Sequence, residues 1–282
     1  MVLKNGIVAK TTRAGPAGLA GAKIPFPARK VSRAVAEQEL ALLEQAYPEA
    51  VTALEYESPF TLLIAVMLSA QTTDVRVNLT TPFLFAKYPT PQALANAPLA
   101  DVEELIKSTG FYHTKAKNII AASQTLVAQH GGAVPNDRDS LEALPGVGRK
   151  TANVVLSVAF EQAAFAVDTH VFRVAHRLGL TLGETPREVE DDVVKLVPTE
   201  KLRFAHHWLI LHGRAICNAP TPLCAKCPVA KLCPSVPLVA RALKAKSKAG
   251  AAKTDASPPK TAAGRSPRGA PGAATARPAR SS

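Results

Sequence analysis

Apolar residues along this chain recur at helical spacing, not at the alternating spacing of strands. In the segment 36–46, Leu40 and Leu43 lie three residues apart, on one face of a helix. A continuous apolar run at 62–68 follows a proline at residue 59 and ends in polar residues, as a buried helix does. Almost no segment alternates as a half-buried strand should.

The same pattern predicts further helices, and glycine pairs or single glycines stop several of them. They are expected at residues 90–95, 101–108, 115–130, 140–144, 150–160, 169–178, 186–196 and 202–217. The sequence therefore predicts an all-α core of about ten helices joined by short turns.

Charge is distributed unevenly along the chain. The 282 residues carry 34 Lys plus Arg and 22 Asp plus Glu, a net charge of +12. Residues 1–34 hold seven bases and no acid, and residues 241–282 hold ten bases and one acid, which leaves a net charge of −4 for the middle. We expect both ends to be disordered basic tails, because they lack core-forming residues. An organellar transit peptide is the alternative for residues 1–34. No apolar run is long enough to span a membrane, so no membrane partner is expected.

The segment 144–152 predicts two helices joined by a glycine-containing hairpin. Gly146 and Gly148 permit positive φ and leave room for the backbone N–H groups to approach a phosphate closely. Arg149 and Lys150 follow at the start of the second helix. A contact of this kind reads the nucleic-acid backbone and not its sequence. An ordinary tight turn between packed helices is the alternative.

All four cysteines, Cys217, Cys224, Cys227 and Cys233, lie within 17 residues, and this spacing indicates a ligand cage. Disulfides are not expected, because residues 1–34 lack the apolar core of a secretory signal and the basic ends do not suggest export. Four thiolates on one wrapped segment suit a 4Fe-4S cluster. A zinc site remains the alternative, although zinc sites usually pair two short cysteine knuckles across a long spacer.

Asp168 follows a short apolar run and precedes a predicted helix, which is the position of an N-cap. An N-cap aspartate close to a lysine can also hold or move protons, and the two roles are compatible.

In this order, the hairpin with Lys150, the segment around Asp168 and the cysteine spacing resemble the endonuclease III family. These are bifunctional DNA glycosylases of the helix-hairpin-helix superfamily, whose substrate is damaged double-stranded DNA. Segments 68–74 and 206–214 resemble the family too. The resemblance covers residues 35–235. It implies removal of oxidised pyrimidines by base excision, followed by β-elimination at the abasic site.

The resemblance implies a catalytic role for two residues. The neutral amine of Lys150 would attack the sugar and form a Schiff base, and partial desolvation in the first turn of a helix would favour its neutral form. Asp168 would stabilise positive charge on the sugar and assist proton transfer. A phosphate-binding lysine is the alternative for Lys150.

The resemblance also implies which residues contact DNA. Gln71 would fill the space left by the flipped base. Phe111 stands where the family has a leucine that wedges the opposite strand; core packing is its alternative. His170 is expected to serve structure or a phosphate contact, and Gly146, Gly148 and Arg149 to bind the DNA backbone. His206, His207 and His212 are expected to pack against the cluster region.

The fold implied is a two-lobed helix-hairpin-helix DNA glycosylase fold. A six-helix barrel lobe would span residues 52–162, and an iron–sulfur cluster lobe would combine residues 35–51 with 163–240. The cluster would be structural, because four cysteines saturate it. The family's cluster loop normally presents bases to DNA, but residues 218–223 contain none. We therefore hypothesise that the basic tail 241–282 supplies non-specific DNA affinity, with a solvated tail that only aids solubility as the alternative.

Two other functions compete with this one. A monofunctional adenine glycosylase of the same superfamily shares the cluster and the aspartate but lacks the lysine and carries an extra domain. A non-catalytic DNA-binding module would not need Lys150 and Asp168 together. We expect a monomer in the cytoplasm, associated with the nucleoid, although organellar targeting by residues 1–34 stays open.

Overall fold

The computed structural model describes residues 24–254, with side chains through residue 245. The described chain contains helices, turns and loops and no strand, which confirms the all-α prediction. The α-helices are α1 Arg33–Ala46, α2 Pro59–Leu68, α3 Asp74–Lys87, α4 Pro91–Ala95, α5 Leu99–Ile106, α6 Tyr112–His130, α7 Arg138–Glu142, α8 Arg149–Ala159, α9 Thr169–Leu178, α10 Pro186–Val194, α11 Leu202–Ala215 and α12 Val236–Thr254. Short 3-10 turns lie at Lys107–Thr109, Thr199–Lys201 and Cys224–Lys226. No helix among the described residues is long and apolar enough to cross a membrane.

Helix α2 is the centre of the first buried cluster. Ser58 caps it, because the Ser58 side chain accepts from the Thr61 N–H while the Thr61 hydroxyl accepts from the Ser58 N–H. The helix is buried at every position from Phe60 to Leu68 and contacts α3, α6 and α8. The first cluster takes its buried side chains from residues between 54 and 164.

The second buried cluster is built on α9 and α11, which pack on each other, with α1 against α11 and α10 against α9. Its members come from both ends of the described chain, including Leu40 and Leu43 of α1 and Trp208 of α11. The first cluster therefore forms from one contiguous stretch of the chain, and the second forms from two stretches that are separated in sequence. The predicted lobes at 52–162 and at 35–51 with 163–240 stay predictions.

The hydrophobic pattern of the sequence does not predict helix α3. Val75, Leu79 and Phe83, spaced four residues apart, are 60–70% exposed, and Pro82 lies inside the helix. An apolar row on the solvent side and an internal proline both obscure the usual amphipathic signal.

The ends are more ordered than expected, so the predicted tails are wrong in their bounds. In the predicted N-terminal arm 1–34, Ile24 is buried, Phe26 stacks on His176, and the Val31 N–H donates to the Gly179 carbonyl. In the predicted tail 241–282, α12 continues to Thr254. The remaining parts of both predicted tails, 1–23 and 255–282, lie outside the described residues.

Candidate functional site

One large pocket brings together four of the residues singled out in the sequence. Its volume is about 1110 Å³, and Gln71, Lys150, Asp168 and His170 line it. They come from the turn after α2, the first turn of α8 and the start of α9, so the pocket lies where the helices of the two clusters meet. The lining also includes Ser69, Thr72, Thr73, Asp74, Val75, Val167, Thr169, Phe172 and Arg214.

Asp168 is the N-cap of α9. Its Oδ1 atom accepts hydrogen bonds from the backbone N–H groups of His170 and Val171, both at 2.8 Å. The expected capping role is therefore confirmed. Because both bonds go to Oδ1, the Oδ2 atom takes no hydrogen bond from the described part of the protein. One carboxylate can thus fix the helix start and still offer a negatively charged oxygen in the pocket.

Lys150 lies in the first turn of α8 and is exposed, and its expected partial desolvation stays a prediction. It forms no ion pair with any described residue. Behind it, His206 is completely buried with neither ring nitrogen hydrogen-bonded. Burial first, and then the charges of His207 and Lys150, hold the pKa of His206 well below its usual value. A neutral ring therefore lies near the lysine.

The hairpin between α7 and α8 forms as predicted, but only Gly146 uses the positive φ that glycine permits, since Gly148 has φ −100°. Gly146 has φ +77°, and a Cβ there would lie 2.7 Å from the Asn118 side-chain amide nitrogen, so any other residue is strained and obstructed. Gly148 is the N-cap of α8; it has no capping side chain, and a Cβ there would meet nothing within 4 Å. The first N–H groups of α8 therefore have no side-chain cap, which leaves them available to an anion.

Arg149 has a partner that the sequence did not reveal. Its Nε and Nη2 atoms donate to the two carboxylate oxygens of Glu190 at 2.7 and 2.9 Å, and the Glu190 side chain is only 7% exposed. The guanidinium therefore ties the start of α8 to α10. Its predicted DNA contact stays a prediction.

His170 is held by a neighbouring arginine. Arg173 Nη2 lies 3.1 Å from His170 Nδ1, and since an arginine can only donate, Nδ1 is the acceptor. Burial, the largest effect, lowers the pKa of His170, while Asp168 raises it. A neutral ring with its proton on Nε2 follows from this pairing, so Nε2 can donate to an anion.

Gln71 and Phe111 share an uncommon backbone conformation. Both have positive φ, +55° and +48°, in the left-handed region that side chains other than glycine rarely adopt. Phe111 is 69% exposed, which contradicts the core-packing alternative for it. Phe111, Gly146, Gly148 and Arg149 lie outside the lining of the large pocket.

Asp74 and Arg214 form an ion pair at the pocket that the sequence does not predict. Both line the pocket, and Arg214 Nη1 donates to Asp74 Oδ2 at 2.9 Å, which joins α11 to the start of α3. Both residues lie within segments that resemble the endonuclease III family, but no local pattern predicts that they meet across 140 positions of sequence.

All four cysteines face a second, apolar pocket. None is in a disulfide. Cys217 Sγ accepts from Arg177 Nη1 at 3.5 Å, and Cys233 Sγ lies 3.4 Å from the Arg177 carbonyl. Burial is the main cause that raises the pKa of Cys227 to about 11 and of Cys233 to about 12.

The histidines divide between the two sites. His212 packs against the cysteines as expected, with Nε2 3.5 Å from Cys227 Sγ and Nδ1 3.1 Å from the Tyr47 hydroxyl. His206 lies instead against His207, Phe165 and the charge of Lys150, so its expected place beside the cysteines is wrong. Across residues 24–254, no three His, Cys, Asp or Glu side chains form a group suited to a single metal ion.

The chain is similar to known DNA repair proteins in sequence and in fold. Residues 64–199 match the HhH-GPD superfamily of base excision DNA repair proteins. Endonuclease III of Rickettsia conorii is 51% identical over 186 residues, covering 66% of this chain and 89% of that protein. Endonuclease III of Escherichia coli K12 is 49% identical over 194 residues, covering 69% of this chain and 92% of that protein.

A solved structure of a trapped endonuclease III–DNA covalent intermediate, in an estranged-adenine complex, has the same fold. It aligns with a TM-score of 0.71 and 44% identity, covering 73% of this chain and 97% of that one. The match therefore extends over almost the whole length of each of these proteins.

Proposed function

Because the chain belongs to the endonuclease III family, we propose that Lys150 and Asp168 carry its chemistry in the large pocket. The protein is a base excision repair enzyme, a bifunctional DNA glycosylase and abasic-site lyase. The observation that supports the assignment is that Lys150, Asp168 and Gln71 line one pocket although they come from three separate segments. We take oxidised pyrimidines in duplex DNA as the substrate and a monomer as the active form.

The pocket chemistry starts from the exposed amine of Lys150. In its neutral form, the amine attacks the sugar C1′; the C1′–Nζ bond forms as the C1′–base bond breaks, and the base leaves with the bonding electrons. Ring opening gives a Schiff base. Loss of a proton from C2′ then expels the 3′ phosphate by β-elimination.

Asp168 acts on the charge that this reaction creates. As the base departs, the sugar becomes positively charged, and the Oδ2 atom of a carboxylate fixed by two backbone N–H groups provides preorganised negative charge. The same oxygen can accept a proton from Lys150 and return it. His206, buried and with its pKa held well below its usual value, does not add a second cation near the lysine.

Gln71 and Phe111 are suited to the extruded-base step. A base must leave the stack before a pocket residue can reach its sugar, which costs a few kcal/mol. The exposed amide of Gln71 can donate to and accept from the orphaned partner base. The exposed ring of Phe111 can stack on bases of the opposite strand.

The hairpin supplies the backbone contact. Gly146 allows the turn and Gly148 leaves the first N–H groups of α8 uncovered, so a DNA phosphate can approach them. His170 Nε2 can donate to a second phosphate.

The cysteine pocket fits a 4Fe-4S cluster. Four thiols that belong to one wrapped segment face a shared apolar pocket, which is the donor set such a cluster takes. Cys217, Cys224, Cys227 and Cys233 would hold it. When bound, the cluster would cross-link residues 217–233 and supply no open position for substrate.

Borohydride trapping on a duplex with one oxidised pyrimidine tests the assignment. The wild-type protein should give a covalent protein–DNA adduct, and Lys150→Gln should give none while still binding DNA. Lys117→Gln, an exposed lysine on α6, is the matched control for the loss of one charge. An adduct that persists in Lys150→Gln would show that another amine is the nucleophile.

A further inference from the structure

Lys115 is a buried lysine whose ammonium group has three acceptors. It is 7% exposed, and its Nζ donates to the Leu68 carbonyl at 2.8 Å, the Thr72 hydroxyl at 2.7 Å and the Thr109 carbonyl at 2.8 Å. All three donors of the ammonium are therefore used, and none remains for solvent or substrate.

The acceptors belong to two different loops. Leu68 and Thr72 flank the turn that carries Gln71, and Thr109 ends the turn that leads to Phe111. The Thr72 hydroxyl also contacts the Thr109 carbonyl directly. Lys115 and Thr72 thus form a polar bridge between the two loops. Gln71 and Phe111 are the exposed tips of these loops.

The two tips are strained as well as exposed. A residue other than glycine in the left-handed region costs about 1–2 kcal/mol, and such conformations persist only where the surroundings impose them. Here the surroundings are carbonyl and hydroxyl groups that point inward to one ammonium. Hydrogen bonds from a charged donor are roughly twice as strong as neutral ones. The bridge is therefore able to hold Gln71 and Phe111 in the left-handed conformation.

We propose that Lys115 is a positioning residue that sets the spacing of Gln71 and Phe111 before DNA binds. The proposal rests on the proposed function, in which both tips enter the duplex. It assigns Lys115 no contact with DNA: its effect passes through the two loops. Preorganised tips avoid the cost of ordering both loops on the substrate, so loss of the bridge should slow base extrusion more than it weakens DNA binding.

Lys115→Met keeps a chain about as long as the aliphatic part of the lysine and removes all three donors. Lys117→Met, two residues along the same helix and exposed, is the matched control for charge. The readout is the fluorescence of an adenine analogue placed opposite a non-cleavable abasic site, which rises when the opposite base is unstacked. We expect Lys115→Met to lower this response and to slow single-turnover base release about tenfold, while affinity for undamaged duplex stays near that of wild type.

A double-mutant cycle separates positioning from general loss of structure. If Lys115 acts through the tips, Lys115→Met should have little further effect on base release in a Gln71→Ala, Phe111→Ala background. If the Lys115→Met protein fails to fold, Thr72→Val replaces it: it deletes the hydroxyl of the bridge and should shift fluorescence in the same direction.

The outcomes distinguish the role of Lys115 from the proposed entry of Gln71 and Phe111 into the duplex. A wild-type response that Lys115→Met retains, or effects that add in the cycle, would overturn the role of Lys115 alone. No fluorescence response in the wild-type protein would overturn the proposed entry of Gln71 and Phe111, and the role of Lys115 with it.

Discussion

Asp168 is assigned two roles, and replacing it by Asn or by Ala should separate them. The carboxylate caps α9 through two N–H···Oδ1 bonds of 2.8 Å, and we propose that it also stabilises charge on the sugar. Asn keeps an oxygen acceptor at the same place but carries no charge. Ala removes both the acceptor and the charge.

The expected magnitudes differ between stability and activity. Asn and Asp are equally good N-caps, so Asp168→Asn should lose only the charge–dipole term of about 0.3–1 kcal/mol. Asp168→Ala also loses the cap, about 0.5–2 kcal/mol more. Each kcal/mol lowers Tm by roughly 2–4 °C in a protein of this size. Base excision should fall by about 10²–10³-fold in both variants, because both remove the carboxylate charge.

The assay pairs single-turnover base release from a duplex containing an oxidised pyrimidine with thermal unfolding. Activity that falls equally in the two variants, while only Ala lowers Tm markedly, supports both roles. If Asp168→Asn released the base at the wild-type rate, the electrostatic role would be refuted and only the cap would remain. If activity followed Tm in both variants, capping alone would explain Asp168.

Three further predictions concern the hairpin, acid stability and the C-terminal tail. Gly146→Ala should weaken DNA binding and cost about 1–3 kcal/mol in a denaturant titration, because φ is +77° and the new Cβ meets Asn118, whereas Gly148→Ala meets nothing and should cost less than 1 kcal/mol. Burial lowers the pKa of His207 to about 4 from 6.5. The unfolded chain therefore binds the proton first as pH falls, so unfolding free energy should drop by up to about 3 kcal/mol between pH 6.5 and 4, and His207→Gln should flatten that part of a pH series of urea titrations. A chain ending at Ala240 loses ten bases and one acid, and its salt slope for duplex DNA should be shallower by about 0.9 per lost phosphate contact; an unchanged slope would contradict the tail hypothesis.

Residue type and local spacing were enough to predict some features of the site. Asp168 was predicted as an N-cap because an aspartate precedes an apolar helical pattern, and Gly146 as a turn because glycine tolerates positive φ. Both depend on the backbone within a few residues. Features that depend on distant partners were not predicted: Lys115 looks like any lysine in an amphipathic helix, and its acceptors near residues 68 and 109 become neighbours only on folding.

Arg149 is a second residue whose partner is distant in sequence, and this affects its predicted DNA contact. An arginine beside a phosphate-binding turn predicts a DNA contact, but its carboxylate partner lies 41 positions away. Arg214 at the pocket is likewise paired, with Asp74. Ion pairing thus neutralises both arginines, whereas Lys150 has no such partner among the described residues. The carboxylates of Glu190 and Asp74 therefore hold these guanidinium groups as ties between helices, while the Lys150 amine stays available for the proposed attack on the sugar.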